Sequence, residues 1–576
     1  MAAEESPGTT PHATGVRTDA DTERRPLDAG LKESGGGERA AEQAARLALL
    51  ARARGFPWTA FYYLFSAAVA AGDRNAGFRL AEVLLALRPT HALPELDEAF
   101  RLALCTPWAR PTSLTRVVVD YLMLDRRLER LVEDAGPSSD ELDAAVELLA
   151  GNELFGTLLQ VATVCDLRME RLLRVLRDHL LTVAPSKPGA MRLAALLATQ
   201  ANLTEYVWPY TSGPVETRSA QSDATPPMTG ARALLNSMFR PPSAVEINAI
   251  ESVAADPAIS CLLQRVRDEP TVRTRLRDEI ERAAVMLGRR TAAGEDAPRS
   301  CLRWFKEPLA PRRLPLPVDR RLRARSGPVG AVLVAGCGSG QDLFAACATY
   351  PGARVAALDA SAEKLAHAAL RCEEAGLRGI DFVPGSLRDV PPLGWTFDVI
   401  ECLGMQRRVP DADLGCEALA RCSRPGSLLR LAVFSDATCR VVGALRDSAQ
   451  VNGVTNRLAD LRDFRIELLE GRHGALPPGL LRSPDFFTAS GLRDLLFADE
   501  VSTLGTSVWR AILDLHGFEF ICEEVNADLA RAARAAGFPD TDVWSIRDSR
   551  RFEREDAFAF GGVQLLWFER RASPPP

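Results

Sequence analysis

Residues 331–341 read AVLVAGCGSGQ, an apolar run that stops in a turn carrying Gly336, Gly338 and Gly340. About 20 residues further on, a second apolar run, RVAALDA at 354–360, contains the acid Asp359 near its end. This is the spacing of strand, tight loop, helix and second strand, the opening βαβ unit of a nucleotide-binding sheet. Glycine permits the sharp turn and lets a ligand lie against backbone where a Cβ would collide. The helix that begins near Asp342 points its free amides back at the ligand, and a carboxylate at Asp359 can accept both hydroxyls of a ribose.

The loop spacing narrows the choice of nucleoside. A dinucleotide loop has the form GxGxxG, whereas this one is GxGxG with Asp342 just beyond it. An acidic residue at that position repels a pyrophosphate. A nucleoside that carries an amino acid in place of phosphates fits better, and S-adenosyl-L-methionine is the common ligand of that kind.

At this point the chain resembles the class I S-adenosylmethionine-dependent methyltransferases. Three later segments extend the resemblance: GIDFVPGSLRDV at 379–390, TFDVIECLGMQRRVPD at 396–411 and EALARCSRPGSLLRLAVFS at 417–435. They match the family's third strand and adenine-contacting turn, its fourth strand and following loop, and a helix, a turn at Pro425 and Gly426, and the fifth strand. The resemblance implies cofactor contacts at Gly336, Cys337, Gly338 and Gly340 for the methionine side, Asp359 with Ala360 for the ribose, Ser386 with Leu387 for the adenine, and Cys402 at the end of the fourth strand.

There are two departures from the family pattern. Many relatives have an aspartate where Ser386 stands, and a serine accepts the hydrogen bond of the adenine amino group more weakly. Arg407 and Arg408 stand where relatives often carry paired histidines. They either clamp an anionic substrate group near the methyl donor or belong to an ordinary solvated loop. Cys337 reads as a small filler, because no neighbour would activate its thiolate.

Length and composition set the frame. A chain of 576 residues is too long for one such domain, and 47% hydrophobic with 25% charged residues is ordinary for a globular protein. A net charge of -6 offers no general field for nucleic acid, and no RNA-binding signature is present. The 12 cysteines form no CxxC pair and the 6 histidines no HExxH, so no metal site is expected. No leader or membrane-spanning run is visible, and the reading is a reduced, cytoplasmic protein.

The expected architecture is multidomain: an all-α N-terminal half followed by an α/β Rossmann-like, seven-stranded methyltransferase domain. Residues 1–39, with GGG at Gly35 to Gly37, read as a disordered tail. Residues 40–108 read as helical hairpins resembling tetratricopeptide units, with an irregular helical domain as the equal alternative. Residues 109–310 continue as a helical domain, and 311–328, rich in proline and arginine, as a stiff connector with an exposed basic face. The domain at 329–576 carries a helical insertion at about 440–503, and its final strands fall at Phe518–Glu523 and Val563–Phe568, the last antiparallel.

Three segments resemble a bacterial group that joins tetratricopeptide-like repeats to a methyltransferase domain. They are NLTEYVW at 202–208, SCLRWFKEPL at 300–309 and SPDFFTASGLRDLLF at 483–497. Trp304 and Phe305 in the second read as packing residues. The function implied is methyl transfer to a substrate recruited by the helical region, with a protein, peptide or polymer favoured over a small natural product. Such chemistry demands no catalytic residue, and none is assigned; Glu401, Asp485 and His516 are available as bases. The alternatives are an interaction scaffold with a degenerate methyltransferase domain and, less fitting, a nicotinamide-dependent oxidoreductase.

Overall fold

The computed structural model describes residues 57–70, 74–132, 137–182, 188–209, 226–267, 308–312, 314–403, 412–497, 504–524, 543–544, 550–551, 553–554, 557–558 and 563–572. The expected tail, the segment 40–55, Trp304, Phe305, Arg407 and Arg408 lie outside these residues. The chain divides into two compact units, Met1–Pro89 and Thr90–Pro576. In the first, the helices Pro57–Ala70 and Arg74–Ala86 pack on each other as a hairpin. Phe61, Leu64, Leu80 and Leu84 are buried there.

The second unit opens with helices, among them Pro94–Cys105, Pro111–Leu122, Ser139–Ala150, Leu167–Thr182 and Pro188–Leu203. The helix expected from Ser138 onward starts there, with Ser138 and Glu141 forming a capping box. Helix Pro188–Leu203 ends in a left-handed wrap: Glu205 and Tyr206 adopt φ of 57° and 61°, and Tyr206 N donates to Ala201 O at 2.7 Å. Two successive non-glycine residues in that region are strained, which requires contacts that hold them.

The sheet follows. β1 (Ala331–Ala335), β2 (Arg354–Asp359), β3 (Ile380–Pro384), β4 (Phe397–Cys402) and β5 (Ser423–Phe434) are mutually parallel. β6 (Phe518–Glu524), β7 (Val543–Trp544) and β8 (Val563–Arg570) complete the order β3-β2-β1-β4-β5-β8-β6-β7. β8 is antiparallel to both β5 and β6. The seven expected strands are therefore present, with a two-residue eighth at the edge. The strand order reverses between β1 and β4, which opens the crevice where such sheets bind ligands.

Burial on both faces explains why β1 and β4 read as unbroken apolar runs. Val332, Val334, Val355 and Val399 face Leu343, Phe344, Leu365 and Ala368 on one side. Leu333, Ala335, Ile400 and Leu429 join the opposite cluster with Trp509 and Leu513.

Three local readings are corrected. The helix expected at 417–422 runs over Ala412–Arg421. Pro425 and Gly426 lie inside β5: the β4–β5 register jumps from Phe397↔Ser423 to Val399↔Leu428, so these residues loop out of the ladder, Gly426 at φ 80°. In the stretch read as a connector, Leu316–Arg323 is helical and several arginines are paired: Arg321 with Glu569, Arg323 with Asp319, Arg325 with Asp398.

The insertion between β5 and β6 is helical as expected, with Asp436–Val451, Leu458–Leu469 and Ala489–Phe497. It packs on the preceding helical region. Arg465, fully buried, forks onto Glu170 at 2.8 and 2.6 Å, donates to Phe486 O at 2.8 Å and stacks over the Phe486 ring. Arg462 donates to Tyr206 O at 2.7 Å, and Ser490 Oγ donates to Glu205 Oε1 at 2.8 Å. NLTEYVW and SPDFFTASGLRDLLF thus meet each other. Their contact holds the strained Glu205–Tyr206 turn.

Candidate functional site

The glycine loop lies at the carboxyl end of β1, beside the point where the strand order reverses. Gly336, Gly338 and Gly340 all have positive φ, at 69°, 56° and 101°. A Cβ on Gly338 would meet no heavy atom within 4 Å, so the space above it is open. A Cβ on Gly340 would lie 2.7 Å from Ala368 Cβ and 2.9 Å from Ala368 Cα. The first glycine leaves room for a ligand, and the second lets the loop close on the helix Ala362–Glu374.

Asp359 ends β2 and is 5% exposed. Its Oδ2 accepts from Gly338 N at 2.9 Å, and its Oδ1 from Ser361 N at 2.9 Å. A carboxylate oxygen has two lone pairs, so each keeps one that can accept from a ribose hydroxyl. Asp359 therefore fixes the loop and retains acceptor capacity. Ala360, next to it, is exposed. Cys337 is buried, and burial followed by the nearby Asp359 charge pushes its thiol well above the ordinary cysteine value. The filler reading of Cys337 agrees with this.

Ser386 caps a short turn, Leu387–Asp389, in which its N and Oγ both donate to Asp389 Oδ2, at 2.7 and 3.1 Å. The hydroxyl proton is thereby committed to Asp389. The lone pairs of Ser386 Oγ remain as acceptors. Leu387 is buried next to it, and Cys402 is buried at the carboxyl end of β4. The structure brings the loop glycines, Asp359, Ser386 and Cys402 to one edge of the sheet, since they end or follow β1, β2, β3 and β4 in turn.

Beneath the loop runs a chain of alternating charges that reaches the helical region. Arg110 Nη2 lies 3.2 Å from Asp342 Oδ1, and Arg312 Nη2 is 3.3 Å from the same oxygen. Arg312 Nη1 pairs closely with Glu401 Oε2. Arg430 lies 3.8 Å from Glu401 and forks onto Glu524 at 2.6 and 2.8 Å, while Trp567 Nε1 donates to Glu524 at 3.0 Å. Three cations alternate with three anions. Burial works against the charge of Asp342, but Arg110, Arg312 and Arg430 outweigh it and hold the carboxyl below its usual range. Glu524 is also lowered, burial being overcome by Arg430.

This chain accounts for Glu401, which is wholly buried under the sheet face and engaged with two arginines. Its Oε2 is held by these arginines, while its buried Oε1 has no hydrogen-bond partner. His516 Nε2 lies 2.8 Å from Asp413 Oδ1 on an exposed surface, and Asp485 sits in a short turn of the insertion. None of the three is joined to the glycine loop by a hydrogen bond or ion pair among those described.

Sequence reading missed His367. It is fully buried on the helix Ala362–Glu374, and its Nδ1 lies 3.2 Å from Ser339 O, which makes Nδ1 the protonated nitrogen. Burial, with Arg371 adding to it, lowers the imidazole to about 4. Its position eight residues after Asp359 carries no recognisable signal, because a histidine on an amphipathic helix looks the same whether it touches a loop or water.

A family model described as a methyltransferase domain matches residues 332–426. An uncharacterised protein of Synechococcus sp. is 38% identical over 106 residues, which is 18% of this chain and 25% of that relative. Among solved structures, PKMT2 from Rickettsia typhi is similar at 15% identity over 42% of this chain and 49% of its own, with a TM-score of 0.28. The N-methyltransferase NodS from Bradyrhizobium japonicum is similar at 13% identity over 44% of this chain and 92% of its own, with a TM-score of 0.24. The chain thus spans a quarter of its curated relative and about half of the Rickettsia protein. Strand order, loop geometry and the match over residues 332–426 together identify the C-terminal part of this chain as carrying a class I methyltransferase domain.

Proposed function

We propose that the protein is an S-adenosylmethionine-dependent methyltransferase acting on a protein, peptide or polymer recruited by the helical region. The observation that carries the cofactor reading is the open space over Gly338, bounded by Asp359, in a loop of GxGxG spacing. Gly336, Gly338 and Gly340 would hold the amino-acid side of the cofactor, Asp359 its ribose, and Ser386 with Leu387 its adenine. When bound, the cofactor supplies an activated methyl group on a sulfonium.

The chain's own contribution is then orientation and exclusion of water, since a sulfonium needs no further activation. Asp359 fixes the loop through Gly338 N and His367 through Ser339 O, so the ligand meets a loop already in place. An acceptor that is neutral when it attacks loses its proton afterwards to solvent or to a nearby carboxylate. The helical region supports the polymer reading because it is tied to the insertion by buried pairs such as Glu170–Arg465 and carries Arg110 to the loop. It therefore offers a fixed surface of many helices beside the catalytic edge.

The test is to incubate the protein with methyl-labelled S-adenosylmethionine and a peptide library, and separately with a small-metabolite extract. Label in the peptide fraction, absent from a Gly338→Ala variant, is the expected result. Label confined to small molecules contradicts the substrate class, and label in neither contradicts retained catalysis.

A further inference from the structure

Arg110 and Asp342 are 232 residues apart in sequence, yet they meet at the mouth of the glycine loop. Arg110 precedes the helix Pro111–Leu122 of the helical region, and Asp342 is the second residue of the helix that starts from Gly340. Of the six charges in the chain beneath the loop, the interior ones are closed: the Glu401 and Arg430 side chains are 0% and 6% exposed. Arg110 and Asp342, at the loop end, are 35% and 32% exposed. A ligand whose amino-acid end reaches this end of the loop would meet one guanidinium and one carboxylate that water still reaches.

We infer that Arg110 and Asp342 bind the α-carboxylate and the α-ammonium of the cofactor's amino-acid end, so that the helical region completes the cofactor site. This rests on the cofactor reading above. An α-amino acid carries a cation and an anion on adjacent atoms, and the protein offers an anion and a cation in complementary order. Asp342 stays ionised because Arg110, Arg312 and Arg430 outweigh its burial, so the carboxylate needed for an ammonium is present at neutral pH. Arg312 braces the pair from below, donating to Asp342 O as well as to its carboxylate.

Rigid delivery of Arg110 follows from contacts elsewhere. The helical region is locked to the insertion by Glu170–Arg465, by Arg462 on Tyr206 O and by Ser490 on Glu205. The arginine therefore reaches the loop from a surface already docked on the same unit.

Two ligands that differ at the relevant end test the inference. S-adenosylhomocysteine carries the amino-acid end, and 5′-methylthioadenosine lacks it. Calorimetric titration of the full chain with each is repeated on Arg110→Ala and Asp342→Asn, with Arg168→Ala on the exposed helical surface as a control. Loss of one charge-assisted contact should weaken S-adenosylhomocysteine about tenfold in both variants and leave 5′-methylthioadenosine within about twofold. Equal weakening of both ligands would reduce the pair to a structural brace and overturn the inference. No change for either ligand overturns it as well. Failure of the unaltered protein to bind either ligand is a separate result, which removes the cofactor reading and this inference with it.

Discussion

A methyl group added at Gly340 would strike Ala368, whereas one added at Gly338 would enter empty space. Both positions have positive φ, so either alanine carries a backbone penalty of about 1 kcal/mol. Gly340→Ala adds a clash with a helix backbone, and we expect it to lower unfolding stability by about 3 kcal/mol or more in a urea melt. Gly338→Ala should melt within about 1 kcal/mol of the parent and still fail to bind the cofactor. The glycines were legible in the sequence as a pattern. Their different jobs were not, because only the fold brings Ala368 against one of them.

His367 gives a pH dependence with a defined sign. Its imidazole is lowered to about 4 in the folded protein and titrates near 6.5 when unfolded, so folding favours the neutral form. Above about pH 6.5 it has no effect on stability. As pH falls from about 6.5 to about 4 the unfolded state gains a proton that the folded state refuses, and stability drops by up to about 3 kcal/mol. His367→Asn, which keeps a donor for Ser339 O, should flatten that part of a stability–pH curve. An unchanged slope between pH 6.5 and 4 would mean that His367 is not buried as described. The depressed carboxyls of Asp342 and Glu524 begin to lose their contribution only as pH falls through the ordinary carboxylate range, so the part of the curve between about pH 6.5 and 5 isolates His367.

At the level of elements, the parallel strands were readable because a strand buried on both faces must be apolar throughout, as AVLVA is. The departures came where sequence shows only local chemistry. Pro425 and Gly426 carry every sign of a turn, but the neighbouring β4 accepts the strand on both sides of them, and the pair becomes a bulge. NLTEYVW and SPDFFTASGLRDLLF stood out as segments without any sign that they touch, since no periodicity reports a contact between residues 205 and 490. The Glu170–Arg465 pair at that contact is nearly or fully closed to water. Arg465→Ala should cost about 3–5 kcal/mol because it strands the Glu170 carboxylate, and the double variant Arg465→Met with Glu170→Leu should recover most of it. Urea melts of the two singles and the double measure this. A double variant as unstable as Arg465→Ala alone would show that Glu170 is not the reason for the loss.

For the whole molecule, the sequence reading found a helical half and a nucleoside-binding sheet but treated the stretch between them as an exposed basic connector. Some arginines of that stretch are taken up inside the fold instead, Arg312 by Asp342 and Glu401 and Arg325 by Asp398, while Arg320 and Arg323 stay exposed. Arginine-rich composition is the same for a solvated linker and for one whose charges find buried partners, so the partners had to be seen. Together with Arg110 they make the helical region and the glycine-loop edge of the sheet parts of one compact unit beginning at Thr90. No helix among the described residues is long and apolar enough to cross a membrane. The central claim concerns which nucleoside this unit holds, and calorimetric titration with S-adenosylmethionine and with NADH tests it most directly. The account predicts saturable binding of S-adenosylmethionine, loss of that binding in Gly338→Ala and Asp359→Ala, and no heat from NADH. Binding of NADH in preference, or S-adenosylmethionine binding that survives both substitutions, would contradict it.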